Sequence, residues 1–149
     1  MNAADLLRAY VDEAHDGQTV ARLFAEDGCV EAPFFASFGR PWRFAGQPAL
    51  EAAYGHLGQL YPGIRFENLR IITAHDDLAV GEYEFIARST KTGRLVYQLT
   101  LAILTSEGGK IKRLREFQNL AEVALGMLPN GLADVVIPED RPLEIGQLS

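Results

Sequence analysis

The chain changes its hydrophobic period once, near Pro62-Gly63, and that switch restricts the possible folds more than any other feature. Before it, apolar residues recur every three or four positions; after it, they alternate. Leu7, Tyr10, Val11 and Ala14 share one face of a first helix that Gly17 stops. Val20, Leu23 and Phe24 form the apolar face of a second, with Gly28 after it. A short apolar stretch, Cys29 to Phe35, leads into a loop carrying Gly39 and Pro41. Pro48 opens a third helix, which buries Leu50, Ala53, Leu57 and Leu60. Alternation then predicts strands over 64–74, 79–90, 94–106 and 110–119, with hairpin turns at Asp76-Asp77, Thr92-Gly93 and Gly108-Gly109. Asn119 to Leu128 reads as a last short helical segment.

Helices first and a meander of strands afterwards specify an α+β class, three N-terminal helices packed on one face of a curved antiparallel sheet. A single domain is expected over 1–130, with an extended arm over 131–149 that carries Pro138 and Pro142. The strand LVYQLTLAIL is apolar at both parities and asks for cover on both sides. Helices cover one side; a second subunit is the simplest cover for the other, so a homodimer through the sheet is expected.

Composition removes several function classes. With 149 residues, 48% hydrophobic and 23% charged, the chain is long and apolar enough to bury a core. A net charge of −6 argues against nucleic-acid binding, and the basic run Lys110, Lys112, Arg113, Arg115 lacks a stacking platform. The N-terminus has no basic region ahead of an apolar one, and no apolar run could span a bilayer. The single cysteine, Cys29, excludes an internal disulfide and points to a reducing, cytoplasmic setting. It has no histidine in its own stretch and reads as a small buried residue. His15, His56 and His75 fall on separate elements, so no metal site is expected, and no glycine-rich phosphate loop implies a nucleotide cofactor.

Strand parity sorts the carboxylates. In GKIKRLREFQN, Arg113, Arg115 and Phe117 share one face, while Leu114, Glu116 and Gln118 share the other. In the second strand Glu82 and Glu84 lie together, opposite Tyr83 and Phe85. Two readings remain open at this point. The glutamates could face water and pair with Arg88, Arg94 or Arg113 in contacts worth about 0–1 kcal/mol. Or at least two of them line a semi-buried cavity, where one is held protonated and acts as an acid.

The segments LFAEDGC, FAGQPAL, the YPG after the third helix, VGEYE and above all GKIKRLREFQN resemble, in that order, the NTF2-like superfamily. That group includes ketosteroid isomerases, SnoaL-type polyketide cyclases and limonene-type epoxide hydrolases, and the likeness is strongest to the phenazine-biosynthesis A/B proteins. It implies a cone of helices and sheet around a pocket open at one end. It also implies an acid–base role for Glu116, with Glu84 as a second carboxylate. The phenazine proteins have a histidine where this chain has Ala53, and His56 lies one turn further along. The epoxide hydrolases have an arginine where this chain has Glu82, which weighs against epoxide hydrolysis.

The expected function is therefore a small-molecule isomerase, cyclase or condensing enzyme without metal or cofactor, acting on a compact cyclic or polyketide-like substrate. Glu116, Glu84 and His56 are its candidate catalytic residues. Tyr10 as an oxyanion donor, Trp42 as a stacking surface, and Tyr54, Glu82, Leu114 and Gln118 complete the candidate lining, although Tyr54 and Tyr97 also read as core residues. The alternative is a non-catalytic ligand-binding or protein-interaction module on the same fold.

Overall fold

In the computed structural model, which describes residues 1–139, three helices pack on one face of a six-stranded sheet. Helix α1 (Ala3–Glu13) begins at Asn2, whose side chain accepts from the Asp5 N–H while Asp5 accepts from the Asn2 N–H, a capping box. Helix α2 (Gly17–Leu23) begins at Asp16, whose carboxylate accepts from the Gln18 and Thr19 N–H groups. Gly17 therefore opens the second helix, and the first ends earlier, at Glu13. Helix α3 (Gln47–Leu60) carries Pro48 in its first turn, where a missing N–H costs nothing.

The sheet runs β2-β1-β6-β5-β4-β3. Strands β3 (Glu67–Ala74), β4 (Leu78–Arg88), β5 (Leu95–Glu107) and β6 (Lys110–Phe117) form the antiparallel meander that alternation predicted. Two further strands correct the sequence reading. Phe24 leaves the second helix to start β1 (Phe24–Glu31), which pairs parallel to β6, and β2 (Arg43–Ala45) pairs antiparallel to β1. The parallel partner of β1 lies some eighty residues away in the chain, so no local turn signals it. Between these strands Pro33–Phe38 forms a 3-10 turn.

Alternation decides what each face of the sheet meets. The inner face carries Tyr83, Phe85, Ala102, Leu104 and Leu114, all buried beneath the helices. Gly81 lets α1 come close: a Cβ there would sit 2.9 Å from Leu7 Cδ2. The outer face leaves Ile72, Ile86, Tyr97, Leu99 and Leu101 exposed. Tyr97, expected in the core, shares parity with Leu99 and faces outward, 55% exposed.

Helix α4 (Leu120–Met127) closes the open end and is held at both termini. Gln98 makes two hydrogen bonds with the Asn119 main chain. The Arg94 guanidinium donates to the carbonyls of Leu125, Leu128 and Pro129, a cation at a helix C-terminus. Ser89 and Thr92 donate to the Gly126 and Leu125 carbonyls. The described part of the expected C-terminal arm opens with a 3-10 turn, Gly131–Asp134, and residues 140–149 lie outside the described residues. Among the described residues no helix is long and apolar enough to cross a membrane.

Gly126 meets Tyr61 so closely that a Cβ would overlap the tyrosine hydroxyl, and Val96 Cγ2 would lie 3.1 Å away. Tyr61 is itself buried against Phe85, so it cannot swing aside freely. Gly126→Ala is expected to cost about 1–3 kcal/mol by overpacking, read as a lower urea midpoint at unchanged slope.

Candidate functional site

Between α3, the inner face of the sheet and α4 lies a cavity of about 650 Å³, a size typical of small-molecule sites. Aromatic rings dominate its wall: Phe35, Trp42, Phe44, Tyr54, Tyr61, Phe66 and Phe85. Arg40, Pro41 and His56 line it while remaining exposed, so the cavity meets solvent between the loop before β2 and α3. Glu116, Tyr10 and Tyr54 line it from buried positions at the opposite, deep end.

Glu116 is 7% exposed and faces inward, away from Arg113 and Arg115. Those arginines instead surround Glu31 on the outer face, where Arg115 Nε lies 2.7 Å from its carboxylate. Among the described residues no cation contacts the Glu116 carboxyl. Three neutral donors converge on it. Tyr10 donates to Oε1 at 3.0 Å, Tyr83 donates to the same oxygen, and Gln118 Nε2 donates to Oε2 at 3.3 Å. Tyr54 in turn donates to the Tyr10 hydroxyl at 3.2 Å. The hydrogen bonds all run toward the carboxyl, from α3 through α1 and from β4.

Burial raises Glu116 above the ordinary glutamate range, and the hydrogen bonds from Tyr83, Tyr10 and Gln118 pull the other way without cancelling it. Burial, reinforced by the charge of Glu116, holds Tyr10, Tyr54 and Tyr83 well above the usual tyrosine value. Such a group keeps its proton to higher pH than an exposed glutamate, can offer it to an acceptor in the cavity, and is still stabilised once the proton has left.

The residues singled out from sequence divide clearly. Glu116, Tyr10, Tyr54, Trp42, His56 and Gln118 all line the cavity. Glu84 does not: it lies exposed on the outer face, accepting from Asn68 Nδ2 at 3.1 Å. Glu82 is on that same outer face, paired with Arg70. Parity explains both corrections, because Tyr83 and Phe85 take the inner face of β4 and the alternate positions must point out. Leu114 is fully buried in the core cluster and outside the cavity wall. Ala53 lines the cavity at the position where the resemblance implies a histidine.

Tyr83 is the residue that sequence reasoning missed. It reads as one more inward aromatic, and its hydroxyl reaches Glu116 across the intervening strand β5. Ala102, opposite both Gly81 and Glu116, leaves the room for it. Gly81, Ala102 and Glu116 share one row of the register, and Tyr83 stands in the next, opposite Thr100. Two small residues level with the glutamate, beside an inward tyrosine, would have been the signal.

A raised folded-state pKa means that the folded protein holds a proton the unfolded chain has released. Stability should therefore fall as pH rises from the ordinary glutamate value, about 4.5, through the folded value, and level off above it. Thermal melts between about pH 4 and 8 should show that fall in wild type and lose it in Glu116→Gln. Tyr83→Phe removes one donor that pulls the pKa down, so its fall should extend to higher pH. Parallel curves for wild type and Glu116→Gln would mean that the carboxyl is already ionised when buried.

A SnoaL-like domain signature matches residues 5–114. A PhzA/B-like protein of Pseudomonas aeruginosa, itself uncharacterized, is 30% identical over 125 residues, 80% of this chain and 85% of its own. The crystal structure of a phenazine biosynthesis-related protein from Pseudomonas aeruginosa superposes with a TM-score of 0.71 at 19% identity, covering 97% of this chain and 93% of that one. A protein from Pseudomonas putida assigned as a polyketide cyclase superposes with a TM-score of 0.69 at 19% identity, covering 83% and 96%. These two likenesses establish the NTF2-like fold. Together with the domain signature and the 30% identical relative, they identify the chain as a member of the SnoaL-like family.

Proposed function

We propose that the protein is a cofactor-independent small-molecule enzyme, an isomerase or cyclase, in which Glu116 is the acid–base group. The observation that carries this reading is a buried carboxyl, unaccompanied by a cation and fed by three donors, at the deep end of an aromatic cavity. The substrate class that fits is a flat cyclic or polyketide-like molecule with a carbonyl oxygen at one end. Its rings would stack on Trp42 and the phenylalanines. Its oxygen would accept from the carboxyl of Glu116.

As a carbon–carbon bond or a shifted double bond forms, the proton of Glu116 passes to the carbonyl oxygen. The carboxylate left behind is stabilised by Tyr10, Tyr83 and Gln118, which already donate to it. In a ring closure it then takes the proton that the nucleophilic carbon releases. In a double-bond shift it takes the carbon proton to leave a dienol, then protonates the new carbon and recovers the O–H proton, so none is gained or lost overall. Proton transfer of this kind contributes about 10²- to 10⁴-fold. His56 lines the exposed edge of the cavity and would serve only a substrate long enough to reach it.

One observation favours the second reading, a ligand-binding protein without turnover. Among the described residues Glu116 is the only carboxylate that lines the cavity. For assembly, we propose that the open outer face packs against a second copy, and the single buried thiol of Cys29 fits a cytoplasmic setting.

Trp42 is the only tryptophan of the chain and lines the cavity, so intrinsic fluorescence reports occupancy. Fused-ring ketones such as 1-tetralone and its larger homologues should quench it in wild type and in Glu116→Gln alike. Turnover of any substrate found in that series should fall about 10²- to 10⁴-fold in the glutamine variant. Quenching without turnover in either protein would leave the binding reading standing. Turnover unchanged by the substitution would remove Glu116 from the chemistry.

A further inference from the structure

Two buried glutamates, Glu31 and Glu116, stand on opposite faces of the sheet, and only the first is given cations. Among the described residues only neutral groups touch the carboxyl of Glu116. Tyr10 faces it from α1, Tyr83 from β4 and Gln118 from the end of β6. Tyr54 of α3 stands behind Tyr10, and β5 presents the small Ala102 opposite it. Arg40 and His56 also line the cavity, but they are exposed at its mouth.

The two carboxyl oxygens are unequally engaged. Oε1 accepts from both Tyr10 and Tyr83, whereas Oε2 accepts from Gln118 alone, at 3.3 Å. A carboxylate oxygen accepts through two lone pairs, so Oε2 can take a further donor from the cavity. Beside it the wall is built of rings in mutual contact. The Tyr10 ring centroid lies 6.0 Å from that of Tyr54 and 5.8 Å from that of Phe66, and Phe66 lies 5.6 Å from Phe85. All four rings line the cavity.

Ligand classes answer such a site differently. An anion is repelled by the carboxyl once it ionises. A neutral ketone gains one hydrogen bond and apolar contact. An organic cation bearing an N–H gains a charge-assisted hydrogen bond to Oε2, Coulomb attraction away from bulk water, and the negative faces of the surrounding rings. It also brings the counter-charge that the protein does not supply, which offsets the cost of a buried carboxylate.

We propose that the cavity is a site for a protonated amine on a flat ring, its N–H donating to Glu116 Oε2 and its ring lying against the aromatic wall. The proposal rests on the reading of the cavity as a small-molecule site with Glu116 at its base, and not on turnover. The ligand binds the ionised carboxyl, so its entry displaces the proton that the carboxyl holds, and that proton passes to solvent. Charge balances: a neutral carboxyl and an ammonium come together, an ion pair stays and one proton leaves.

The probes are tetrahydroisoquinoline, a secondary amine that stays protonated over the range used, and 1-tetralone, a neutral ketone of nearly the same shape. Dissociation constants are read from Trp42 quenching between about pH 4 and 8. Below the folded pKa of Glu116, amine affinity should rise about tenfold per pH unit, and above it level off. Ketone affinity should show no such rise. Calorimetric titration on the rising part of that curve, in buffers of different ionisation enthalpy, should show a proton released with the amine and none with the ketone. Glu116→Gln should weaken the amine about tenfold or more at the alkaline end and lose the slope, with ketone binding kept. His56→Gln should keep the slope. Near-ultraviolet circular dichroism checks that each variant is folded, and the wild-type curve and proton release need no variant. Amine binding with neither slope nor proton release, or equally tight in Glu116→Gln, would overturn the proposal, as would a slope lost in His56→Gln. Ketone binding without amine binding would overturn it and leave the acid–base function standing. Failure of both probes would overturn the cavity as a site for ligands of this size, and the proposal with it.

Discussion

A carboxyl buried without a cation governs how the rest of this molecule is arranged. Removing an ionised glutamate from water costs far more than one hydrogen bond returns, so the fold must either neutralise Glu116 or surround it with donors. It does both in part. Burial raises the proton affinity, and Tyr83, Tyr10 and Gln118 limit the rise. Those donors come from β4, α1 and the end of β6, and Tyr54 from α3 supports Tyr10, so the site ties together every layer of the cone. The close seat of α1 on Gly81 and the small Ala102 between Gly81 and Glu116 are packing features with a chemical consequence. Larger residues at either place would lift a tyrosine away from the carboxyl.

The contrast with Glu31 shows how differently the two sides of one sheet treat the same side chain. Glu31 is as buried as Glu116, yet three arginines surround its carboxyl group. Two of them, Arg113 and Arg115, belong to the same strand as Glu116 and alternate with it, while Arg43 comes from β2. One strand therefore contributes a structural ion cluster to the outer face and a carboxyl of raised proton affinity to the cavity. The separation depends only on the two-residue repeat of β structure.

The cavity itself is a compromise between closure and access. Its deep end is sealed by the tyrosines, while its open end is framed by α3 and the loop before β2. Helix α4 is held by Gln98 at one end and by Arg94, Ser89 and Thr92 at the other, so it is a wall. Aromatic rings between the two ends supply shape and stacking surface with few polar groups to satisfy. A ligand is oriented by one polar anchor at the bottom, which is enough for a molecule with a single hydrogen-bonding oxygen.

Much of this was legible in the chain. The change of period near Pro62-Gly63 specified helices and then a meander, and parity alone put Glu116 on the face opposite Arg113 and Arg115. What the chain could not show was which face of β4 turns inward, because Glu82 and Glu84 alternate with Tyr83 and Phe85 and either set could have lined a pocket. Nor could it show β1, whose partner β6 is distant and parallel, or the reach of Tyr83 across Ala102. The sequence by itself determined the order of elements and the sidedness of each strand, since both follow from local repeats of apolar residues. Tertiary structure alone decided which sides met and which carboxylate lost its water, because burial and register are properties of strands brought together and of no segment taken singly.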